Sequence, residues 1–441
     1  MKSMLRTGRL TVLVSLAVFL LGLGSAPTTV LAQGAPQLNI MMEGVPDTKF
    51  VQELVPEFER KTGLKVNIEV LAYRVMREKL LPQLTARQGA YDVVVVDKQW
   101  VGEFVAADWL EPLDPFLTKT PELSTGVYIP AMFNMIGRVG TTTYMLPFYN
   151  YTLGLIYRED LYNDPKLKAD YKARFGKELA VPSSVEDYVQ VAKFMTRKPD
   201  FYGVSMQLAR GVAIHAEWSN LFFGLGGYYY DANWKATVSS EAGLKALEYI
   251  VDLAKNAAPP GATGYNFDEQ FAFMAEGKAA HMVTYNWMMP RFNDPKQSKI
   301  VGKVALTLAP GGHGNQGGWG WGIPRSAPNK DAAWKFLAWV ESFDVAKRRA
   351  LAGGSPTRSD VFGDPDVLAK YPHYPTVLKL IATAKAVPLY TGTNQMYVVL
   401  AREFSQVLAG QKDPKTALGI VNKELDELAK DDPFVKRALN R

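Results

Sequence analysis

The sequence predicts an α/β fold in two domains. Segments of strand character alternate with segments of helical periodicity. A length of 441 residues exceeds what one hydrophobic core normally organises. "VVVVD" (93–97) has the unbroken apolar run of a strand buried on both faces, as in a sheet covered by helices. Apolar residues at 47% and charged residues at 21% mark a folded chain rather than a disordered one.

The chain opens with a basic stretch (Lys2 to Arg9), the apolar run "LTVLVSLAVFLLGLG" (10–24) and then "TVLAQ". Val30 and Ala32 are the small residues that a signal peptidase accepts, so residues 1–32 are expected to be a cleaved leader and the mature chain to be exported. The apolar run is short for a membrane span. Net charge is +6, of which Lys2, Arg6 and Arg9 belong to the leader, leaving +3 on an evenly mixed remainder that does not point to nucleic acid. Cysteine is absent, which excludes disulfides, thiolate metal sites, cysteine nucleophiles and a lipid-modified N-terminal cysteine. The expected compartment is the periplasm, with the protein free in it.

"QLNIMME" (37–43) is the first expected strand. Val51, Leu54, Val55 and Phe58 then share one helical face, with a bend or restart expected at Pro56 and a stop at Gly63. Val66, Ile68 and Val70 alternate on a second strand. The valine run follows, with Asp97 at its carboxyl end, the edge at which open α/β sheets bind ligands. Further on, Ser183 and Glu186 have capping-box spacing, Leu244, Leu247, Val251 and Ala254 line a helix over 241–256, and 303–310 is strand-like. A last helix carries Ala333, Phe336, Leu337 and Val340 behind Asn329 as its N-cap. No repeat or low-complexity linker separates two domains, so the chain is expected to cross between them more than once.

"GGWGWGIP" (317–324) looks too short for a core element of its own. As a strand it sets Trp319 and Trp321 on one face and glycines on the other, where a neighbouring element could pack closely. Catalytic motifs are missing. "FFGLGGYYY" lacks dinucleotide-loop spacing, "GKAA" has no upstream glycine for a phosphate loop, and no Gly-x-Ser-x-Gly elbow occurs. The four histidines are scattered without metal-ligand spacing, so neither metal nor cofactor is expected. Spacing alone leaves a glycosidase carboxylate pair open.

Aromatic residues next to polar ones recur at strand ends and turns: Tyr73 in "LAYR", Trp100 in "DKQW", Tyr149 and Asn150 in "PFYNY", Tyr285 to Trp287 in "TYNWMMP". Each could be core, but together they have the makeup of a ligand cleft. A pyranose fits such a cleft, with an apolar face for the rings and a rim of hydroxyls for charge-assisted hydrogen bonds. Stacking on two indoles would bury about 100 Å² of apolar surface, roughly 2.5 kcal/mol.

Seven motifs in order make the sequence similar to a known family: "FERKTGLKVNIE", "YDVVVVDKQWVGEFVAADWLEPLDPF", "YMLPFYNYTLGLIYRED", "EWSNLFFGLGGYYYD", "FMAEGKAAHMVTYNW", "GGWGWGIPRSAPNKDAAWKFLAWV" and "GGSPTRSDVF". The chain resembles the extracellular solute-binding proteins of bacterial carbohydrate ABC importers, the group that includes maltose-binding protein. The resemblance implies a two-lobed periplasmic binding protein fold (type II), each lobe a mixed sheet flanked by helices, hinge-linked around a ligand cleft. It implies discontinuous lobes, 33–147 with 288–350 and 148–287 with 351–441. The implied partners are a carbohydrate and the membrane subunits of an ABC permease with a separate ATPase, for a non-enzymatic monomer.

Carried over by motif, Asp97, Lys98 and Trp100 line the first lobe's edge, with Glu43 and Tyr73 at or just beyond strand ends. Tyr149 and Asn150 follow the first crossing, Trp287 stacks from the second lobe, and Trp319 and Trp321 lie near the return. Arg358 matches the arginine of a late turn that faces the cleft, although it could instead brace a helix terminus; the Trp-Gly stretch could equally be hinge packing. Two other readings stay open. One is a receptor for a phosphorylated polyol or sulfonated sugar held by Arg358 and Lys98, and the other is a secreted carbohydrate-active enzyme.

Overall fold

The computed structural model describes residues 37–439; the expected leader lies outside them. The first strands and helices alternate: β1 (Gln37–Glu43), α1 (Pro46–Thr62), β2 (Lys65–Leu71), α2 (Tyr73–Ala86), β3 (Val93–Asp97) and α3 (Lys98–Ala106). The middle holds β4 (Leu146–Arg158), α4 (Val185–Met195), β5 (Tyr202–Val204), α5 (Val212–Gly224), α6 (Glu241–Asn256), α7 (Phe267–Ala275), β6 (Ala279–Tyr285) and β7 (Val304–Thr307). Then come β8 (Asn315–Gly322), α8 (Lys330–Val340), α9 (Phe343–Ala352), α10 (Tyr374–Thr383), β9 (Lys385–Ala386), α11 (Thr393–Leu408) and α12 (Pro414–Lys430).

The strands form one curled mixed path in the order β2-β1-β3-β8-β4-β6-β5, with β9 on β8 and β7 on β4. β1 runs parallel to β2 and β3, whereas β8 is antiparallel to both β3 and β4. Two separate sheets were expected, and β4 is what merges them. Its first half pairs with β8 (up to Thr152) and its second half, from Leu153, with β6 and β7. Two principal buried clusters flank this strand. One surrounds Trp100, Trp321 and Phe336, the other Trp218, Phe222 and Tyr229.

Local signals explain most elements. Gly63 ends α1 with φ 72° and donates its N–H to the Glu59 carbonyl, a left-handed stop that glycine adopts without strain. Asn329 caps α8, accepting from the Ala332 amide at 3.0 Å. Two expectations need correcting. α1 runs through Pro56 as one helix, because Pro56 and Gln52 lie on its exposed face, where water can satisfy the carbonyl that proline leaves free. The cap of α4 is Ser184, one residue later than Ser183, accepting from the Asp187 amide at 3.1 Å.

The Trp-Gly stretch is also more than expected. β8 is buried along all eight residues and lies between β3 and β4. Its glycines make the position possible. A Cβ on Gly318 would lie 2.2 Å from Ile136 Cδ1, and one on Gly320 2.6 Å from Met145 Cβ. We expect Gly320→Ala to cost about 1–3 kcal/mol by overpacking. Gly419→Ala, with nothing within 4 Å on exposed α12, should gain roughly 0.5–1 kcal/mol. Urea denaturation of both variants checks the contrast.

Candidate functional site

The carboxyl ends of β1 and β3 face the end of β6 and the start of α5 across a cavity of about 450 Å³. Glu43 closes β1, Asp97 closes β3 and caps α3, and Tyr73 opens α2. Tyr149 and Tyr151 reach the cavity from β4 and Trp319 from β8. The opposite wall carries Gln207, Arg210, His215, Phe267, Tyr285 and Trp287.

The aromatic rings form two sets. Trp319 is boxed in by Tyr73 (5.8 Å between centroids, edge-on), Trp100 (5.4 Å, edge-on) and Tyr149 (6.1 Å, stacked). At 3% exposure it is a wedge that fixes the other rings. On the far wall Tyr285 and Trp287 stack at 5.8 Å with 20° between their planes, and Phe267 meets Trp287 edge-on. Both stacked residues are only partly buried, so this pair offers a solute an accessible apolar plate.

The polar groups are mostly acceptors. Asp97 accepts from the Gln99 side chain at 2.7 Å, from the Tyr151 hydroxyl at 3.1 Å and from the Gln99 amide at 3.4 Å. Glu43 accepts from the Tyr149 hydroxyl through Oε2. Among the side chains that the structure describes, which do not include that of Arg74, neither carboxylate has a cation within 4 Å. Burial pushes Glu43 up to about 8 and Asp97 up to about 6. His215 is buried beside Tyr229 and pushed down to about 3, so it is neutral.

Six of the residues singled out in the sequence therefore line the cavity: Glu43, Tyr73, Asp97, Tyr149, Trp287 and Trp319. Five do not, each for a local reason. Trp321 pairs with Val95, two residues inside the strand end that Trp319 meets at Asp97, and its indole donates to Glu341 at 2.9 Å. Trp100 is core, stacked behind Tyr73. Lys98 points away and donates to the Val387 carbonyl at 2.5 Å, with burial pushing it down to about 8. Asn150 donates to the Pro356 carbonyl at 2.7 Å. Arg358 makes a two-pronged pair with Asp360 and reaches the Glu341 carbonyl at 2.6 Å, bracing the helix that starts at Ser359.

Sequence reasoning missed Gln99, Tyr151, Gln207, Arg210, His215 and Tyr397. Strand periodicity could have found Tyr151, two residues beyond Tyr149. His215 and Tyr397 come from helices distant in sequence and carry no local signal.

The bacterial extracellular solute-binding protein model matches residues 44–347, more than half of the chain. The chain belongs to the bacterial extracellular solute-binding proteins. A relative of this family in Pseudomonas aeruginosa, a mannitol-binding protein, is 26% identical over 79% of this chain and 83% of its own length. A probable amino-acid ABC transporter periplasmic-binding protein of Sinorhizobium fredii is 24% identical over 86% of each chain. A solved solute-binding protein of Agrobacterium radiobacter in complex with ribitol superposes with a TM-score of 0.81 at 28% identity, over 89% of this chain and 98% of that one. The solute-binding fold explains the cavity's place, between two α/β lobes at the strand ends.

The buried groups set a pH dependence of stability. Glu43 and Glu217 are raised to about 8, and Asp47 and Asp97 to about 6, chiefly by burial. Each holds its proton more tightly folded than unfolded, so its contribution is present at low pH and lost as pH rises through the folded value. His215, His281 and His373 are lowered to about 3–4 by burial and act oppositely, losing stability as pH falls below about 6.5. The expected result is a melting temperature that rises as pH falls from about 8 to 6.5 and then flattens. Calorimetry across pH 5–9 checks it.

Proposed function

We propose that the chain is a periplasmic receptor that captures a polyhydroxylated solute, a sugar or sugar alcohol, and delivers it to an ABC permease without catalysing a reaction. The cavity carries this reading. It joins an accessible aromatic plate, Tyr285 with Trp287, to buried carboxylates that can hold hydroxyl groups. The mannitol and ribitol named for similar proteins belong to the same chemical class. Lys98 and Arg358, the cations expected from the sequence to hold a sugar phosphate or sulfonate, are both committed elsewhere, which weighs against that alternative. The leader expected at 1–32 supports export.

A thermal-shift screen over D-mannitol, ribitol, maltose, sugar phosphates and amino acids tests the class. The true ligand at a hundred times its Kd adds about 2.7 kcal/mol. Stabilisation by amino acids alone, or steady release of product from an oligosaccharide, overturns the proposal. Trp287→Ala is expected to raise Kd roughly ten- to hundredfold, for about 1.5–3 kcal/mol of lost aromatic contact. Trp321→Ala should instead cost about 3–5 kcal/mol of stability and leave the affinity of the folded protein intact.

We further propose that the lobes close around the solute, hinged at β4. The packing supports limits that differ from the sequence-based ones. Residues 304–307 pair with the second half of β4, and the side chains of α10 join the buried cluster of the first strands. The solute stabilises closure only by its differential affinity for the closed state. Small-angle scattering should show a smaller radius of gyration with saturating ligand. An unchanged profile would mean a rigid cleft.

A further inference from the structure

One pole of the cavity is rich in acceptors and short of donors. Glu43 is 7% exposed; Oε2 takes the Tyr149 hydroxyl, while Oε1 receives no hydrogen bond from the described side chains. Asp97 stands close enough to raise the Glu43 carboxyl further by charge repulsion. Beside it Gln99, 4% exposed and on the cavity wall, spends its amide nitrogen on Asp97 and Tyr73 and leaves Oε1 buried without a partner. The rings of Tyr73, Tyr149 and Trp319 crowd the same pole with electron-rich faces.

A hydroxyl brings one donor to such a pole, whereas an ammonium brings three donors, no acceptor and a positive charge. We propose that this pole receives a protonated amine, so that the preferred solutes are amino sugars or amino-substituted sugar alcohols. The inference rests on the polyol reading and narrows it: the aromatic plate holds the carbon chain, and Glu43 with Asp97 and the Gln99 carbonyl holds the nitrogen.

The surroundings leave room for that charge. Glu43 is faced by Tyr149 from β4, Asp97 from β3, Tyr285 from β6 and Tyr73 from α2. Asp47 of α1 is also near, but its carboxylate takes the Ser355 amide at 3.0 Å and has Arg349 beside it. Asp97 has Lys98 in electrostatic range, with its ammonium turned to the Val387 carbonyl, and Tyr151 and Tyr397 around it. Arg210 is exposed on the opposite wall, His215 is neutral, and Glu217 lies behind Gln207.

Protons and the amine compete for one carboxylate. Glu43 holds a proton below about 8 and is ionised above it. A primary alkylamine stays protonated to about pH 10. The amine's advantage is therefore full above the Glu43 value and declines as pH falls through it, with a proton released on binding near neutrality.

The test is titration calorimetry of the mature protein with D-sorbitol and with 1-amino-1-deoxy-D-sorbitol, at pH 6 and 8.5 and in buffers of different ionisation enthalpy. We expect the amine to bind about tenfold tighter at pH 8.5, to lose most of that ratio at pH 6, and to release a proton that sorbitol does not. Glu43→Gln should bring the ratio towards one, with circular dichroism verifying that the variant is folded. Equal or weaker binding of the amine at both pH values overturns this inference while sorbitol binding upholds the polyol reading. If neither binds and the wider screen finds no polyol, that reading falls with it.

Discussion

One strand belonging to two sheets is the constraint on which the rest of the structure depends. β4 changes partners between Thr152 and Leu153, and side-chain amides secure the change. Asn150 ties it to the Pro356 carbonyl, Asn286 accepts from the Thr152 amide at 2.8 Å, and Asn286 also donates to Ser355 at 3.2 Å. Thr357 closes the circuit on the Pro147 carbonyl at 2.9 Å. All these groups are buried, where an unmade hydrogen bond costs about 1–3 kcal/mol. A few directional bonds thus help to fix the relative position of the two lobes.

That arrangement sets where chemistry can occur. The parallel strands β1 and β3 end in Glu43 and Asp97, whose carboxylates accept from Tyr149 and Tyr151 of β4, two and more strands away, at the line where the lobes meet. β6, antiparallel to β4, delivers Tyr285 and Trp287 to the same line from the other side. A solute placed there touches residues far apart in sequence, and its contacts report whether the two sides are close together.

How much of this was legible depends on how local each cause is. The valine run named a buried central strand, and Asp97 at its carboxyl end lines the cavity, because burial and strand polarity are written into five consecutive residues. Gly63 and Asn329 announced a helix stop and a helix start through backbone chemistry alone. The depth of a side chain along its strand was not legible. Trp319 and Trp321 look equivalent in "GWGWG", but only pairing with β3 shows that one reaches the edge and the other lies inside. Lys98, Asn150 and Arg358 have polarity suited to a cleft, yet their partners, Val387, Pro356 and Asp360 with Glu341, are set by tertiary folding. His215 and Tyr397 enter the cavity for the same non-local reason.

The two carboxyl groups enclosed at the strand ends bear on how such a protein can evolve. They are costly for folding, and apolar residues of similar size would lower that cost. Selection for thermal endurance of the empty receptor alone would therefore favour replacing Glu43 and would gradually erode the cleft's recognition chemistry. Asp97 is held also by its capping of α3, whereas retention of Glu43 would need continued demand for binding.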